Sequence, residues 1–368
     1  MEPSDQPDIG DARDRVAVHL VWDGVLLAAA IGAVILVYTR SSETLSGDSL
    51  RAQLVAAGAS MLLATGFAVS LRAAVPNLAV GGTAAAAGVL VGWLVNHEHM
   101  TVGSATGVTA AAGAGVGLLL AIAVVALRAP AWAVSLAAVA LLGSAILSLT
   151  GGAPVILTSG PNLLRWPYPV FLGAAALSVA GGAVALAPRA RAALGAFRPT
   201  GDPARRRPRG GSAVAVVALV VSSVLATGAG LVTVFRLHEA LPVDTSLTSL
   251  TLPAVGAALL GGVSVHGRRG GVFGTALAVV VIQSLLLWFG LGNAEQWVPL
   301  AVVGAAILVG LIVSRVVETL GSPREPEPAL ADVDGPPPWA PPAAEPGYDT
   351  GYQPRYDTGY QPVDTDRY

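Results

Sequence analysis

Few side chains in this sequence could do chemistry, and one cluster of them lies in the segment WLVNHEHM (residues 93–100). His97, Glu98 and His99 could bind a metal ion from an extended loop, but side chains two positions apart diverge on a helix. The sequence favours a solvated loop here, and we predict no metal site. The pair His238–Glu239 receives the same interpretation.

Motifs of catalytic and nucleotide-binding proteins are absent from the chain. It contains no Walker A motif, no GxSxG, no HExxH and no dinucleotide fingerprint. It also contains no cysteine, which excludes disulfides, thiolate metal sites and cysteine nucleophiles. We therefore expect no catalytic residues and no cofactor, and we predict that the protein is not an enzyme.

Polar residues interrupt the apolar segment 66–94. Pro76 lacks a backbone N–H and restricts Val75, so a helix must break near these two residues. Asn77 and Thr83 then open the next apolar run. Interrupted helices in transport proteins can present backbone groups to a solute. An ordinary cytoplasmic turn between two spans is the favoured alternative.

Gln283 is the one polar residue of a long apolar run near the C-terminal end of the hydrophobic region. An amide inside a membrane is costly unless it is paired, so Gln283 should face the helix bundle. Either a structural hydrogen bond or a solute contact fits this position. Asn77, Thr83 and Gln283 are the predicted substrate-path residues.

The elements that carry these residues must be membrane helices. Of the 368 residues, 54% are hydrophobic and only 12% are charged, about half the charge of an ordinary soluble domain. A membrane span needs about 20 mostly apolar residues. Candidate apolar runs begin near residue 16 and recur to residue 317. Their approximate ranges are 16–38, 52–71, 77–95, 102–126, 130–149, 167–187, 212–234, 247–262, 271–290 and 297–317. We predict an all-α polytopic membrane protein with about ten transmembrane helices, although the eighth range is short.

The arginines predict the orientation of these helices. Residues 1–15 are polar and net acidic, unlike the start of a cleavable signal peptide, so the first apolar run should remain as a span. With the N-terminus in the cytoplasm and alternating spans, fourteen arginines fall inside and four outside, leaving out the C-terminal tail. Seven of the fourteen lie between 189 and 209. We predict that both termini are cytoplasmic.

Composition divides the chain into three parts. A polar N-terminal tail (1–15) precedes a transmembrane domain (16–318) that contains an arginine-rich cytoplasmic loop (188–211). The remainder (319–368) is rich in proline, repeats YDTGYQP and is predicted to be a disordered tail. A solvated terminus without a site and a short motif for a partner protein are both open interpretations of the tail.

Three segments resemble ABC-importer permeases of the ribose-type sugar, nucleoside and branched-chain amino acid group. The strongest similarity is to the run A-x-x-x-x-L-G-G-x-S-x-x-G-x-x-G-x-x-x-G-T, near the C-terminus of those proteins. The corresponding residues here are Ala254, Leu260, Gly261, Gly262, Ser264, Gly267, Gly270, Gly274 and Thr275. Weaker similarity involves Ser222, Ala226, Gly228 and Gly230 and, in the first half, Arg72, Ala73, Asn77 and Gly82. In that first-half run, Gly81–Gly82–Thr83 stands where the family has Glu–Gly–Gln.

The resemblance also implies a role for the arginine-rich loop. In the family a loop between the two halves of the permease docks on the ATPase subunit, in the form G-x-N-P-E-A-A-R. Gly201, Asp202, Pro203, Ala204 and Arg205 correspond to it loosely, with Asp for Asn and without the Glu and one Ala. Pro208 follows where the family has a short helix.

The implied function is that of the membrane-spanning permease subunit of an ABC-type importer for a sugar, nucleoside or amino acid in the cell (plasma) membrane. The implied partners are a separate ATPase subunit, an extracytoplasmic solute-binding protein, and a second permease copy or a sister permease. The arginines beside the spans favour contact with anionic lipid, and no nucleic acid is expected. Two alternatives remain: a degenerate, non-transporting membrane scaffold and a ten-helix secondary transporter.

Overall fold

The structure is a computed structural model that describes residues 16–184, 187, 190, 194, 209–240, 247–265 and 273–321. The predicted N-terminal tail (1–15), the proposed coupling residues 201–205 and the tail from residue 322 onward lie outside the described residues.

The described residues form ten α-helices, which confirms the all-α polytopic fold. All ten observed helices begin and end within about five residues of the predicted ranges. In chain order, α1 to α10 are Val16–Arg40, Gly47–Arg72, Val80–Asn96, Val102–Ala126, Ala131–Thr150, Pro167–Val184, Arg209–Leu237, Leu252–Leu260, Gly274–Leu291 and Trp297–Gly321.

Two of these helices are shorter than the others. Eight are at least 18 residues long and apolar enough to cross a membrane, whereas α3 has 17 residues and α8 has nine. Helix α8 has only nine residues and follows a five-residue π-helical turn, Leu247–Thr251. At 1.5 Å per residue these fourteen residues extend about 21 Å, less than the hydrocarbon thickness of about 30 Å. The eighth predicted span therefore does not cross the membrane by itself.

A two-stranded antiparallel ribbon marks one end of the helix bundle, which we call the strand face. Strands β1 (Val155–Ile156) and β2 (Glu239–Ala240) pair there with Val155 opposite Ala240. The end of α3 joins them, because Asn96 Nδ2 donates to Ile156 O at 2.6 Å. The other end of the bundle, where α2 ends and α3 begins, is called the opposite face.

The helices pack through small residues that bring backbones into contact. At the crossing of α3 and α7, a Cβ on Gly230 would overlap the carbonyl group of Ala84. At the crossing of α4 and α7, a Cβ on Gly117 would lie 2.6 Å from the Cα of Val220. Such contacts are the usual basis of helix association in membranes, where no hydrophobic effect separates helix from lipid.

Large apolar side chains face outward on the peripheral helices. Leu119 on α4, Leu141 on α5, Leu172 on α6 and Ile312 on α10 are each at least 60% exposed. A soluble protein rarely exposes so much contiguous apolar surface, but the hydrocarbon of a bilayer solvates it well. Helices α2 and α7 are more buried and form the centre of the bundle.

The contact between α3 and α7 predicts a difference between two glycines. Gly230→Ala should destabilise the protein by about 1–3 kcal/mol, because the added methyl group must displace the Ala84 backbone. Gly115→Ala on α4 is the control, since nothing lies within 4 Å of its Cβ position. Thermal unfolding in detergent measures both. Equal midpoints for the two variants would contradict the packing at this crossing.

Candidate functional site

The segment between α2 and α3 is buried inside the bundle. Ala73, Val75, Asn77 and Ala79 are each 0% exposed, and no residue from 71 to 80 is in the exposed class. Ala74 takes a left-handed φ of 57° at the end of α2. We call this buried segment, in which the chain turns between the two helices, the α2–α3 break (residues 73–79).

Asn77 ties this break to the central helix α7. Its Nδ2 donates to Ser222 Oγ at 3.1 Å and to Ser223 Oγ at 3.4 Å. Its Oδ1 accepts from the backbone N–H of Ala79 at 3.0 Å, and its own N–H donates to Ser70 Oγ at 3.1 Å. The side-chain amide is thus fully engaged with protein groups.

Two more hydroxyl groups bond to the backbone of the break and of the first turn of α3. Ser135 Oγ on α5 accepts from the N–H of Leu78 at 3.0 Å. Thr251 Oγ1, at the end of the π-helical turn, accepts from the N–H of Gly81 at 3.1 Å. Buried non-helical backbone needs such partners. Hydroxyl groups from three elements supply them here: Ser70 of α2, Ser135 of α5 and Thr251 of the π-helical turn.

Thr83 lies in the first turn of α3 and is 2% exposed. Its backbone N–H donates to Ala79 O at 2.8 Å, which begins the helix. Its Oγ1 is buried and has no hydrogen-bond partner. Thr83 therefore packs in the interior close to the break.

A cavity of about 310 Å³ lies between the central helices and the strand face. Its walls are mostly alanine, glycine, leucine and valine from α2, α3 and α7. The polar side chains that line it are Ser60, Thr233, Arg236, Glu239, Ser249 and Gln283. Pockets for small ligands combine an apolar wall with a few convergent polar groups in this way, beginning at about 300 Å³.

Gln283 of α9 reaches this cavity and crosses to α2. Its Nε2 donates to Ser60 Oγ at 2.6 Å, the interhelical hydrogen bond that an intramembrane amide requires. Its location in the cavity wall also leaves the amide able to meet a solute. Both interpretations of Gln283 thus remain compatible with its position.

The structure separates the three predicted path residues. Gln283 lines the cavity, whereas Asn77 and Thr83 are not among its lining residues. Ser60 and Thr233 were missed by sequence reasoning, because a single hydroxyl in an apolar helix gives no signal of the direction in which it points. Glu239 was considered only with His238 as part of a solvated loop, and Arg236 was not considered as a site residue. Gly201 to Arg205 lie outside the described residues.

The His97–Glu98–His99 segment follows the end of α3 at the strand face. His97 stacks on Trp93, with ring centroids 5.6 Å apart and planes 14° apart. Within the described residues, no group of three or more His, Cys, Asp or Glu side chains is placed to hold a metal ion.

Comparison with known proteins gives one partial similarity. The ribose import permease protein RbsC of Bacillus subtilis (strain 168) is 33% identical to this chain over 102 residues. That alignment covers 28% of this chain and 31% of the relative. No protein-family model matches the sequence, and no solved structure matches the fold. The chain is therefore a membrane protein with local similarity to a permease.

The hydrogen bonds of Asn77 predict its contribution to stability. Asn77→Leu should cost about 1–3 kcal/mol, because Ser222 and the Ala79 N–H lose a buried partner. Asn162→Leu is the control, since that amide is exposed and bonds only to the nearby Leu164 N–H. Thermal unfolding in detergent compares the two. A smaller loss of stability in Asn77→Leu than in Asn162→Leu would contradict this role for the hydrogen bonds of Asn77.

Proposed function

We propose that this chain is the membrane-spanning permease subunit of an ABC-type importer for a small polar solute. The observation that carries the proposal is the 33% identity over 102 residues to a ribose import permease, found in a chain whose described residues form ten apolar helices. The absence of a Walker A motif from the sequence fits a subunit that depends on a separate ATPase. The chain itself then performs no covalent chemistry.

The cavity is the proposed solute site. Gln283, Ser60 and Thr233 offer an amide and two hydroxyl groups from three different helices. Together with the charged side chains of Arg236 and Glu239 in the same wall, these groups suit a small polar solute such as a sugar or an amino acid. Asn77 and Thr83, near the α2–α3 break, are proposed to belong to the same path on its way to the opposite face.

The proposed assembly follows from the same assignment. An extracytoplasmic solute-binding protein delivers the solute at the strand face, and a separate ATPase acts on the loop 188–211 through residues 201–205. A second copy or a sister permease completes the path. The arginine distribution supports a cytoplasmic location of both termini in the plasma membrane, with anionic lipid beside the loop arginines.

The solute site predicts the effect of one substitution on transport. Gln283→Leu should lower the uptake of D-ribose, the solute named for the relative, by about tenfold in vesicles that contain the assembled importer, because one hydrogen bond to the solute is lost. Gln53→Leu is the matched control, because Gln53 lies on α2 but does not line the cavity. Unchanged uptake in Gln283→Leu would remove Gln283 from the path.

Recovery of an ATPase tests the proposed partner directly. An affinity-tagged chain should co-purify with an ABC ATPase, and replacement of residues 201–207 by a Gly/Ser linker should abolish the recovery. The imperfect match of 201–205 to the family motif favours the scaffold alternative on this point. If no ATPase is recovered from the natural host with the unaltered chain, the importer proposal fails and the scaffold is supported.

The absence of cysteine from the chain permits a direct test of orientation. Ser159→Cys, beside the strand face, should react with a membrane-impermeant maleimide added to intact cells. Arg128→Cys, between α4 and α5, should react only after the membrane is opened. Labelling of Arg128→Cys but not of Ser159→Cys in intact cells would contradict the proposed topology.

A further inference from the structure

A short segment of chain crosses the strand face beside the cavity. It joins α5 to α6 and contains strand β1, and we call it the strap (residues 151–166). Strand β1 pairs with β2, and both residues of β2, Glu239 and Ala240, line the cavity. The strap is therefore attached directly to one wall of the cavity.

Contacts along α3 place the strap between the cavity and the strand face. Gly88 lines the cavity, and a Cβ built on it would lie 3.5 Å from Ala240 Cβ. One turn closer to the strand face, a Cβ built on Gly92 would lie 2.7 Å from Val155 Cγ1 of the strap. One further turn along, Asn96 bonds to the strap. Because residues four apart share one face of a helix, the strap follows the cavity along the same face of α3.

Asn96 holds the strap with both groups of its side-chain amide. Its Nδ2 donates to Ile156 O at 2.6 Å, and its Oδ1 accepts from Thr158 Oγ1 at 3.2 Å. On the other side of the strap, the Leu157 N–H donates to His238 O, directly after α7, at 2.8 Å. Hydrogen bonds thus fix the strap to both α3 and the end of α7.

The apolar attachment of the strap is small. Every residue of the strap is described, and Leu157 is the one that is buried, in a cluster with Val234 and Phe235 of α7. Ile156 and Trp166 are each more than 60% exposed. A two-stranded ribbon is only marginally stable by itself, and segments with few buried contacts open at low free energy. The strap therefore belongs to the part of the structure that opens most easily.

Two glycines stand where the strap leaves α5. Gly151 and Gly152 have left-handed φ angles of 60° and 85°, and nothing lies within 4 Å of a Cβ built on either. Neither position is packed against another element. Hinges of moving segments are a few residues of this kind at the end of a helix or in a loop.

We propose that the strap is a gate, which closes the cavity toward the strand face while Asn96 holds it and opens the cavity by rotation at Gly151–Gly152. In transport the gate rests on the proposed function, because that assigns the cavity as the solute site and the strand face as the side of delivery. The opening of the strap itself does not depend on that assignment.

A cysteine in the cavity wall measures whether the strap opens. Thr233 lines the cavity from α7, and Thr233→Cys is a near-isosteric probe in a chain without other cysteines. Its rate of reaction with a hydrophilic methanethiosulfonate is measured with the full-length protein in lipid nanodiscs, where the reagent reaches both faces. Asn96→Leu should raise this rate by about tenfold, because the closed state loses two hydrogen bonds.

A matched control comes from the strap itself. Asn162→Leu makes the same substitution at an amide that bonds to Leu164 N–H within the strap, so it should leave the Thr233→Cys rate unchanged. Thr65→Cys, 4% exposed on α2 and outside the cavity wall, is the control probe for general loosening. Its rate should be the same with and without Asn96→Leu.

Gly92→Ala tests the gate through packing instead of hydrogen bonds. The added methyl group must displace Val155, whose β-branched side chain is stiff, while Asn96 keeps its amide. Gly92→Ala should therefore also raise the Thr233→Cys rate. If Asn96→Leu fails to fold, Gly92→Ala decides the question by itself.

A disulfide tests whether transport requires the strap to open. Val155 and Ala240 are opposite each other in the ribbon, and Cα atoms of such pairs lie about 4.5–5.5 Å apart, within reach of a disulfide. In vesicles with the assembled importer, Val155→Cys/Ala240→Cys should lose D-ribose uptake on oxidation and regain it on reduction. In each single variant, uptake should not depend on the oxidant.

Three results would overturn the gate. A Thr233→Cys rate that is the same in the folded variants and in the unaltered background would do so. An equal increase at Thr65→Cys would show general loosening, and uptake that persists in the cross-linked protein would show that solute passes without opening of the strap. If Asn96→Leu speeds the labelling of Thr233→Cys but the unaltered chain takes up no solute and recovers no ATPase, the gate is supported and only the importer is refuted.

Discussion

Close backbone contact at small residues is the constraint on which this structure depends. Lipid is as apolar as leucine, so burial of apolar area does not bring membrane helices together as it does in water. Gly230 against Ala84 and Gly117 against Val220 allow α7 to approach α3 and α4 at distances that any side chain would prevent. The peripheral helices direct their large apolar side chains outward, toward lipid, and small residues form the contacts at the centre of the bundle.

This close packing makes the helix break between α2 and α3 possible. A chain that leaves the helical conformation inside a membrane exposes N–H and C=O groups that water cannot reach. Here, Ser70 of α2 and Ser135 of α5 lie near enough to accept from two of these N–H groups. The serines and threonines of the apolar helices therefore serve the backbone, and Asn77 joins the break to α7.

The proposed solute cavity uses the same central helices. Helices α2, α3 and α7 supply most of its wall, and α9 adds Gln283 across from Ser60. Helices α8 and α9 meet end to end at the opposite face, where α1 brings Trp22 and Asp23 against them. Helix α9 thus lines the cavity with Gln283 in its middle and contacts the end of α8 at its start.

The sequence by itself determined the class of protein and the limits of the described helices to within about five residues. Length and apolarity suffice for this, because a membrane span must satisfy its own backbone and needs about 20 apolar residues. Apolar composition did not show, however, that α8 is too short to be a span. The sequence also indicated that an intramembrane amide needs a hydrogen-bond partner, and Gln283 donates to Ser60.

Only the tertiary structure decided where the polar residues lie relative to one another. Asn77, Thr83 and Gln283 look alike in the sequence, yet only Gln283 lines the cavity. The sequence indicates a turn at 73–79, but the burial of that turn depends on the helices placed around it. Trp22 and Leu260 are 238 positions apart, and no local pattern connects them. Each of these relations depends on which face a helix turns toward its neighbours, and helices of alanine, glycine and valine carry almost no amphipathic pattern to set that rotation.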